Sequence, residues 1–229
     1  ISATDDILPV YKEHVAIMSK YVDLFLCETM SNASEAWAAV SAAKESGKPV
    51  WCSLNVDDDT LGKAMRSGET VQEVWSKIGE LKPDAVLVNC VAPETVSAAM
   101  PILASLGVGL FGGYGNGFIS IPKGWTTQSS GISALGKRYD LTPYVYAAMA
   151  LQWKASGARI IGGCCEVGAA HIKALREKLD EEGTADTATS IEKEELKAFN
   201  EVASSCSRTT RASPPRFGPY TKCDETCQH

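Results

Sequence analysis

Ile160-Ile161-Gly162-Gly163-Cys164-Cys165-Glu166 decides how this chain folds. It reads as a short buried strand that runs into two glycines and two adjacent cysteines, with a polar helix-forming segment following from His171 to Glu182. A disulfide between sequence neighbours closes a small strained ring, so the two thiols call for another use. Permissive glycines beside thiols at a strand end suit a soft metal. A second apolar strand, Ala85-Val86-Leu87-Val88-Asn89-Cys90, ends in a third cysteine. Three thiolates from the ends of two parallel strands can hold zinc and leave its fourth position to a substrate. Each cysteine taken singly also fits a core, where free Cys packs as a small hydrophobe. The matching strand-end positions of Cys90, Cys164 and Cys165 favour the metal.

Outward from these two stretches, apolar strands are expected at residues 22–27, 49–54, 85–90, 108–111 and 158–162. Helices or loops separate them. The first helix is predicted from about Leu8, with Pro9 in its first turn and Val10, His14, Ile17, Met18 and Tyr21 on one face. Ser31 to Glu35 supplies helix-start chemistry for a helix that stops at Gly47. A helix from Thr70 carries Val71, Val74, Trp75 and Ile78 on one side, another runs from Pro93 to near Gly107, and Thr142-Pro143 opens a last one that carries Tyr146, Met149, Ala150 and Trp153. Continuously apolar strands that alternate with helices indicate a parallel α/β sheet covered on both faces. Glu28, Cys90, Asn116, Cys164 and Cys165 all fall at or just beyond strand carboxyl ends, where such folds place their chemistry.

Composition narrows the function class. The chain has 229 residues, 45% of them apolar, and a net charge of −6 without a dense basic run. That argues against a nucleic-acid or anionic-membrane partner. No apolar run reaches the roughly 18 residues needed to cross a bilayer. The acidic N-terminus lacks a signal-peptide layout, and the missing initiator methionine suggests a processed or partial product. The eight cysteines are therefore read as reduced thiols of a cytoplasmic protein. Cys27 and Cys52 lie within strands and are read as core. Residues 1–183 form the α/β domain, and 184–229 form a linker, a possible short helix at 191–202 and an irregular tail. The tail holds Cys206, Cys223, Cys227 and His229, a weak candidate metal set. Gly112 to Gly117 superficially resemble a phosphate loop but miss its Lys-Ser/Thr ending. Trp125 and Trp153 are read as packing residues.

Four motifs in fixed order carry a resemblance: Glu28-Thr29, Asn89-Cys90, Tyr114-Gly115-Asn116-Gly117 and Gly162-Gly163-Cys164-Cys165. Together they resemble the homocysteine S-methyltransferase family, zinc-dependent enzymes that include betaine–homocysteine methyltransferase and the homocysteine module of cobalamin-dependent methionine synthase. The resemblance runs from about Leu8 to Leu179. It implies a (β/α)8 TIM barrel of which this chain carries about the fourth to eighth strands, N-terminally incomplete. It implies Zn2+ held by Cys90, Cys164 and Cys165, and homocysteine bound with help from Glu28, Thr29 and Asn116. The implied reaction moves a methyl group from a small-molecule donor to the homocysteine thiol, giving methionine. The donor stays open among betaine, S-methylmethionine, S-adenosylmethionine and a methyl-folate route. A complementary barrel fragment or a homo-oligomer is an expected partner. Glu166-Val167 departs from the family's Gly-Thr and leaves the subfamily open. Two alternatives stand beside this reading: a methyltransferase for another thiol or selenol, and a non-catalytic zinc-binding fragment or subunit.

Overall fold

The computed structural model describes residues 4–119, 121, 125 and 131–182. The helix expected at 191–202 and the tail cysteines lie outside the described residues. Five strands form one sheet: β1 (Phe25–Met30), β2 (Val50–Leu54), β3 (Ala85–Asn89), β4 (Phe111–Tyr114) and β5 (Ile160–Ile161). All neighbours are parallel, and their spatial order is their chain order. Such a sheet has no point at which the order reverses, as a doubly wound sheet would; sequential order is that of barrels.

Side chains alternate between the two faces of a strand. The registered pairs Cys27–Cys52 and Val88–Gly113 share one face, and Leu26–Trp51, Ser53–Leu87 and Asn89–Tyr114 share the other. The first face meets the helices: a Cβ added at Gly113 would lie 2.7 Å from Val96 Cγ1 in the helix that follows β3. The second face becomes polar towards the carboxyl ends of the strands.

The helices are α1 (Thr4–Met18), α2 (Ala33–Lys44), α3 (Val71–Ile78), α4 (Pro93–Ser105), α5 (Pro143–Ala155) and α6 (Ala169–Glu182). Their starts follow capping chemistry. Asn32 Oδ1 accepts from Glu35 N at 2.9 Å for α2. Thr70 and Glu73 form a reciprocal capping box for α3. Thr142 caps α5, with Pro143 in its first turn. The alanines of α2 are buried and let that helix lie close to β1 and β2.

Three expectations change. α1 starts at Thr4, so Pro9 lies inside the helix. The helix packs on α2, with Lys12 Nζ paired to Glu45 Oε1 at 2.7 Å, and the expected apolar face of Val10, Ile17, Met18 and Tyr21 is exposed instead. Helical spacing identifies a stripe but not what covers it. β1 starts three residues later than expected, where Phe25 N donates to Pro49 O at 2.9 Å, and so takes in Glu28 and Thr29. β4 likewise starts at Phe111 and absorbs Gly112 and Gly113, which sequence assigned to a loop. They are strand glycines because there is no room for more: a Cβ at Gly112 would fall 1.8 Å from Ile160 O.

The chain divides into two units, Ile1–Gly117 with Tyr139–Asp186, and Phe118–Arg138 with Thr187–His229. The sheet, the six helices, Glu28, Thr29, Cys90, Asn116, Cys164 and Cys165 belong to the first. In the second, Phe118 bridges to Lys137, and Ile119 N donates to Gly136 O at 3.2 Å.

Candidate metal centre

The carboxyl ends of β3 and β5 bring three thiols together. Cys90 is the first residue past β3, and Cys164 and Cys165 follow β5 after two glycines. Their three sulfurs lie within 4.8 Å of one another, and the Cys164 and Cys165 sulfurs are 3.7 Å apart. Zinc–thiolate bonds of about 2.3 Å in a tetrahedron separate ligand sulfurs by about 3.8 Å. The cluster therefore fits a tetrahedral three-thiolate site with small side-chain adjustment. All three cysteines are free, as are Cys27 and Cys52, which are buried in the core.

The loop after β4 aligns the cysteines. Cys90 N donates to Tyr114 O at 3.2 Å, and Asn116 N donates to Val91 O at 2.8 Å. On its other side, Cys164 N donates to Gly115 O at 2.9 Å, and Gly117 N donates to Cys165 O at 2.7 Å. One segment, Tyr114 to Gly117, thus holds both cysteine loops in register. Asn116 is buried between them in sequence order and in space. A Cβ at Gly163 would sit 2.3 Å from Val167 Cγ1, so only glycine lets the Cys164 loop turn this tightly.

Non-glycine residues with left-handed backbone mark three of the strand ends: Thr29 (φ 61°), Cys90 (φ 56°) and Glu166 (φ 64°). Side chains raise the cost of that conformation, and strained residues gather at functional sites.

A hydrogen bond from Cys90 lowers the Cys164 thiol to about 6, and the same bond pushes Cys90 upward. Burial raises Cys165. The cluster therefore already favours a thiolate at Cys164. The negative charge of Glu28 opposes that thiolate, which places the carboxylate within electrostatic reach of the thiols.

Below the thiols runs a polar layer across four strands. Ser53 Oγ donates to Asn89 Oδ1 at 2.7 Å, and Asn89 Nδ2 donates to Thr29 Oγ1 at 2.9 Å. Asn55 Nδ2 donates to the Asn89 carbonyl at 3.1 Å. Tyr114 OH donates to Glu28 Oε1 at 2.9 Å. Burial and the nearby carboxylate keep the Tyr114 phenol protonated, well above its ordinary value. Glu28, Thr29, Asn116 and the three cysteines thus share one rim. Sequence reading missed Ser53, Asn55 and Tyr114 as its supports. Ser53 was detectable as a polar residue in an apolar strand.

Fold and site define a class: a parallel α/β protein with a thiol-rich centre at the carboxyl ends of its strands. The model of the homocysteine S-methyltransferase family matches residues 2–179. The chain belongs to that family. It is 29% identical over 167 residues to the homocysteine S-methyltransferase of Escherichia coli (strain K12), covering 70% of this chain and 49% of that protein. It is 26% identical over 189 residues to betaine–homocysteine S-methyltransferase 1 of Bos taurus, covering 76% of this chain and 44% of the other. The crystal structure of the homocysteine methyltransferase MmuM from Escherichia coli in its apo form superposes with a TM-score of 0.60 at 25% identity, covering 78% of this chain and 58% of that one. The chain spans about half the length of the curated relatives it matches. Among the described residues, no helix is long and apolar enough to cross a membrane.

Proposed function

We propose that this chain carries the zinc and homocysteine half of a homocysteine S-methyltransferase barrel, its five strands standing as about the fourth to eighth. One observation carries the reading: three thiols from two strand ends meet within 4.8 Å on the rim that also bears Glu28. Cys90, Cys164 and Cys165 would hold Zn2+. Zinc held by thiolates supplies a way to keep a substrate thiol deprotonated yet nucleophilic near neutral pH.

The chain's own residues supply the rest. Glu28 is a carboxylate acceptor for the homocysteine ammonium group, and Tyr114 fixes its direction. Thr29, tied to Asn89, and Asn116, held between the cysteine loops, complete the substrate wall. The methyl group leaves its donor as the homocysteine sulfur attacks it, and methionine results. A thiol-rich site flanked by Glu28 is negative, which favours a donor with positive charge at the methyl-bearing atom.

Metal analysis and turnover test the reading together. Reduced protein is expected to hold about one zinc per chain, lost on Cys164→Ser, and to form methionine from homocysteine with one of the candidate donors. Zinc and turnover that both survive Cys164→Ser would sink it. Because the chain covers about half of its relatives, a second reading is zinc binding without turnover. Zinc lost on Cys164→Ser, with no methionine from any donor, selects that one.

A further inference from the structure

We infer that Tyr146 is a positioning residue for the thiol centre, its hydroxyl wedged into the ladder that continues β4 and β5, one rung before Cys164. In a parallel pair, a residue of one strand donates to and accepts from residues two apart on its neighbour. Gly113 O accepts from Gly162 N at 3.3 Å, and Gly115 O accepts from Cys164 N at 2.9 Å. The bond due between these two rungs runs from Gly115 N to Gly162 O. The Tyr146 hydroxyl occupies it, accepting from Gly115 N at 3.0 Å and donating to Gly162 O at 2.6 Å. A phenol oxygen has one proton to give and lone pairs to receive, so it satisfies both groups.

The consequence is geometric. A direct N–H···O bond spans about 2.9 Å, and an inserted oxygen holds the two backbones farther apart. The two segments are parted just before Cys164 and rejoin at Cys164 N, so the insertion sets where the Cys164–Cys165 loop leaves the sheet relative to Cys90.

The wedge is itself held firmly. Tyr146 is fully buried in α5, its ring edge-on to Trp153 at 5.6 Å and to His171 at 5.9 Å. His171 fixes the far side of the same loop: its Nδ1 accepts from Gly168 N at 3.2 Å, and its Nε2 lies 3.0 Å from Leu141 O. Trp153 Nε1 donates to Ser97 Oγ at 2.7 Å and anchors α5 to α4. Sequence reading placed Tyr146 only among the apolar positions of its helix.

This inference rests on the thiol centre proposed above, and its test separates the two. The full chain with Cys206, Cys223 and Cys227 changed to Ser removes tail thiols from the readout. On that background, chelator competition measures zinc affinity for the parent, Tyr146→Phe and Trp153→Phe. Tyr146→Phe keeps the ring but loses the wedge, and is expected to weaken zinc binding roughly 10- to 100-fold, the usual range for a supporting residue behind a ligand. Trp153→Phe keeps a ring beside Tyr146 but loses the bond to Ser97, and is expected to lower the unfolding temperature while weakening zinc binding less than Tyr146→Phe does. Equal zinc affinity in the parent and Tyr146→Phe overturns the inference.

If the parent binds no zinc, the metal reading fails while the wedge stays testable. Arsenite, which condenses with three neighbouring thiols and releases water, then reports the cluster directly. Weaker arsenite capture by Tyr146→Phe than by the parent supports the wedge, and equal capture overturns it. If Tyr146→Phe does not fold, Tyr146→Met, a flexible apolar side chain that likewise lacks the hydroxyl, takes its place under the same two outcomes.

Discussion

The two ends of the sheet are built differently. At β4 and β5, glycines, the inserted Tyr146 hydroxyl and cross-loop backbone bonds leave little freedom. At β1 and α1, the outer surface is open: Ile17 is 60% and Tyr21 83% exposed, and Leu26 on β1 is 39% exposed. An edge strand with free backbone groups and apolar neighbours is the kind of surface proteins usually cover. The contrast teaches that the thiol centre is held locally, by backbone bonds and close-packed glycines at β3, β4 and β5.

The strongest way to break that comparison is to force β4 and β5 apart. Gly112→Ala places a methyl group 1.8 Å from Ile160 O and is expected to cost about 3 kcal/mol in urea unfolding, at the upper end for overpacking. Parent-like stability would show that the tight end yields easily, and the contrast would vanish.

A milder change probes the rim alone. Tyr114→Phe deletes the bond to Glu28 and is expected to weaken homocysteine binding roughly ten-fold or more, since a hydrogen bond to a charged group is worth about 1.5–3 kcal/mol net and each 1.4 kcal/mol is about tenfold. Isothermal titration with homocysteine reads it, and an unchanged dissociation constant would remove Glu28 from the substrate wall.

The open end should respond least. Ile17→Ser is expected to shift stability by less than about 0.5 kcal/mol, as an exposed substitution away from special features does. A loss several times larger would mean that α1 is covered in solution, and sedimentation would then show what covers it.

How much of this was legible in sequence follows from which residues announce themselves. Val86, Leu87 and Val88 form an uninterrupted apolar run and gave β3 to within a residue. Cys90, Cys164 and Cys165 stood out because thiols are rare and their positions matched. Gly112 and Gly113 misled, because glycine looks like a loop residue until the neighbouring backbone that excludes its Cβ is known. The stripe from Val10 to Tyr21 misled for the opposite reason: periodicity is local, and what packs against a helix is not. Tyr146 gave no signal, since an aromatic at a helical core position carries its hydroxyl unseen. The polar layer from Ser53 to Tyr114 is assembled from four strands, and no window of sequence contains it.

The left-handed backbone at Cys90 has a consequence for how such a chain changes under selection. Glycine adopts that conformation freely, whereas a side chain there costs about 1 kcal/mol. Selection for folding alone would therefore favour Cys90→Gly, a change that steadies the turn and deletes a thiol. Thr29 and Glu166 sit under the same pressure, but only at position 90 does relief remove a candidate ligand. A cysteine at position 90 is thus costlier to the fold than glycine would be. Libraries screened for thermal tolerance without an assay for the metal should lose it first.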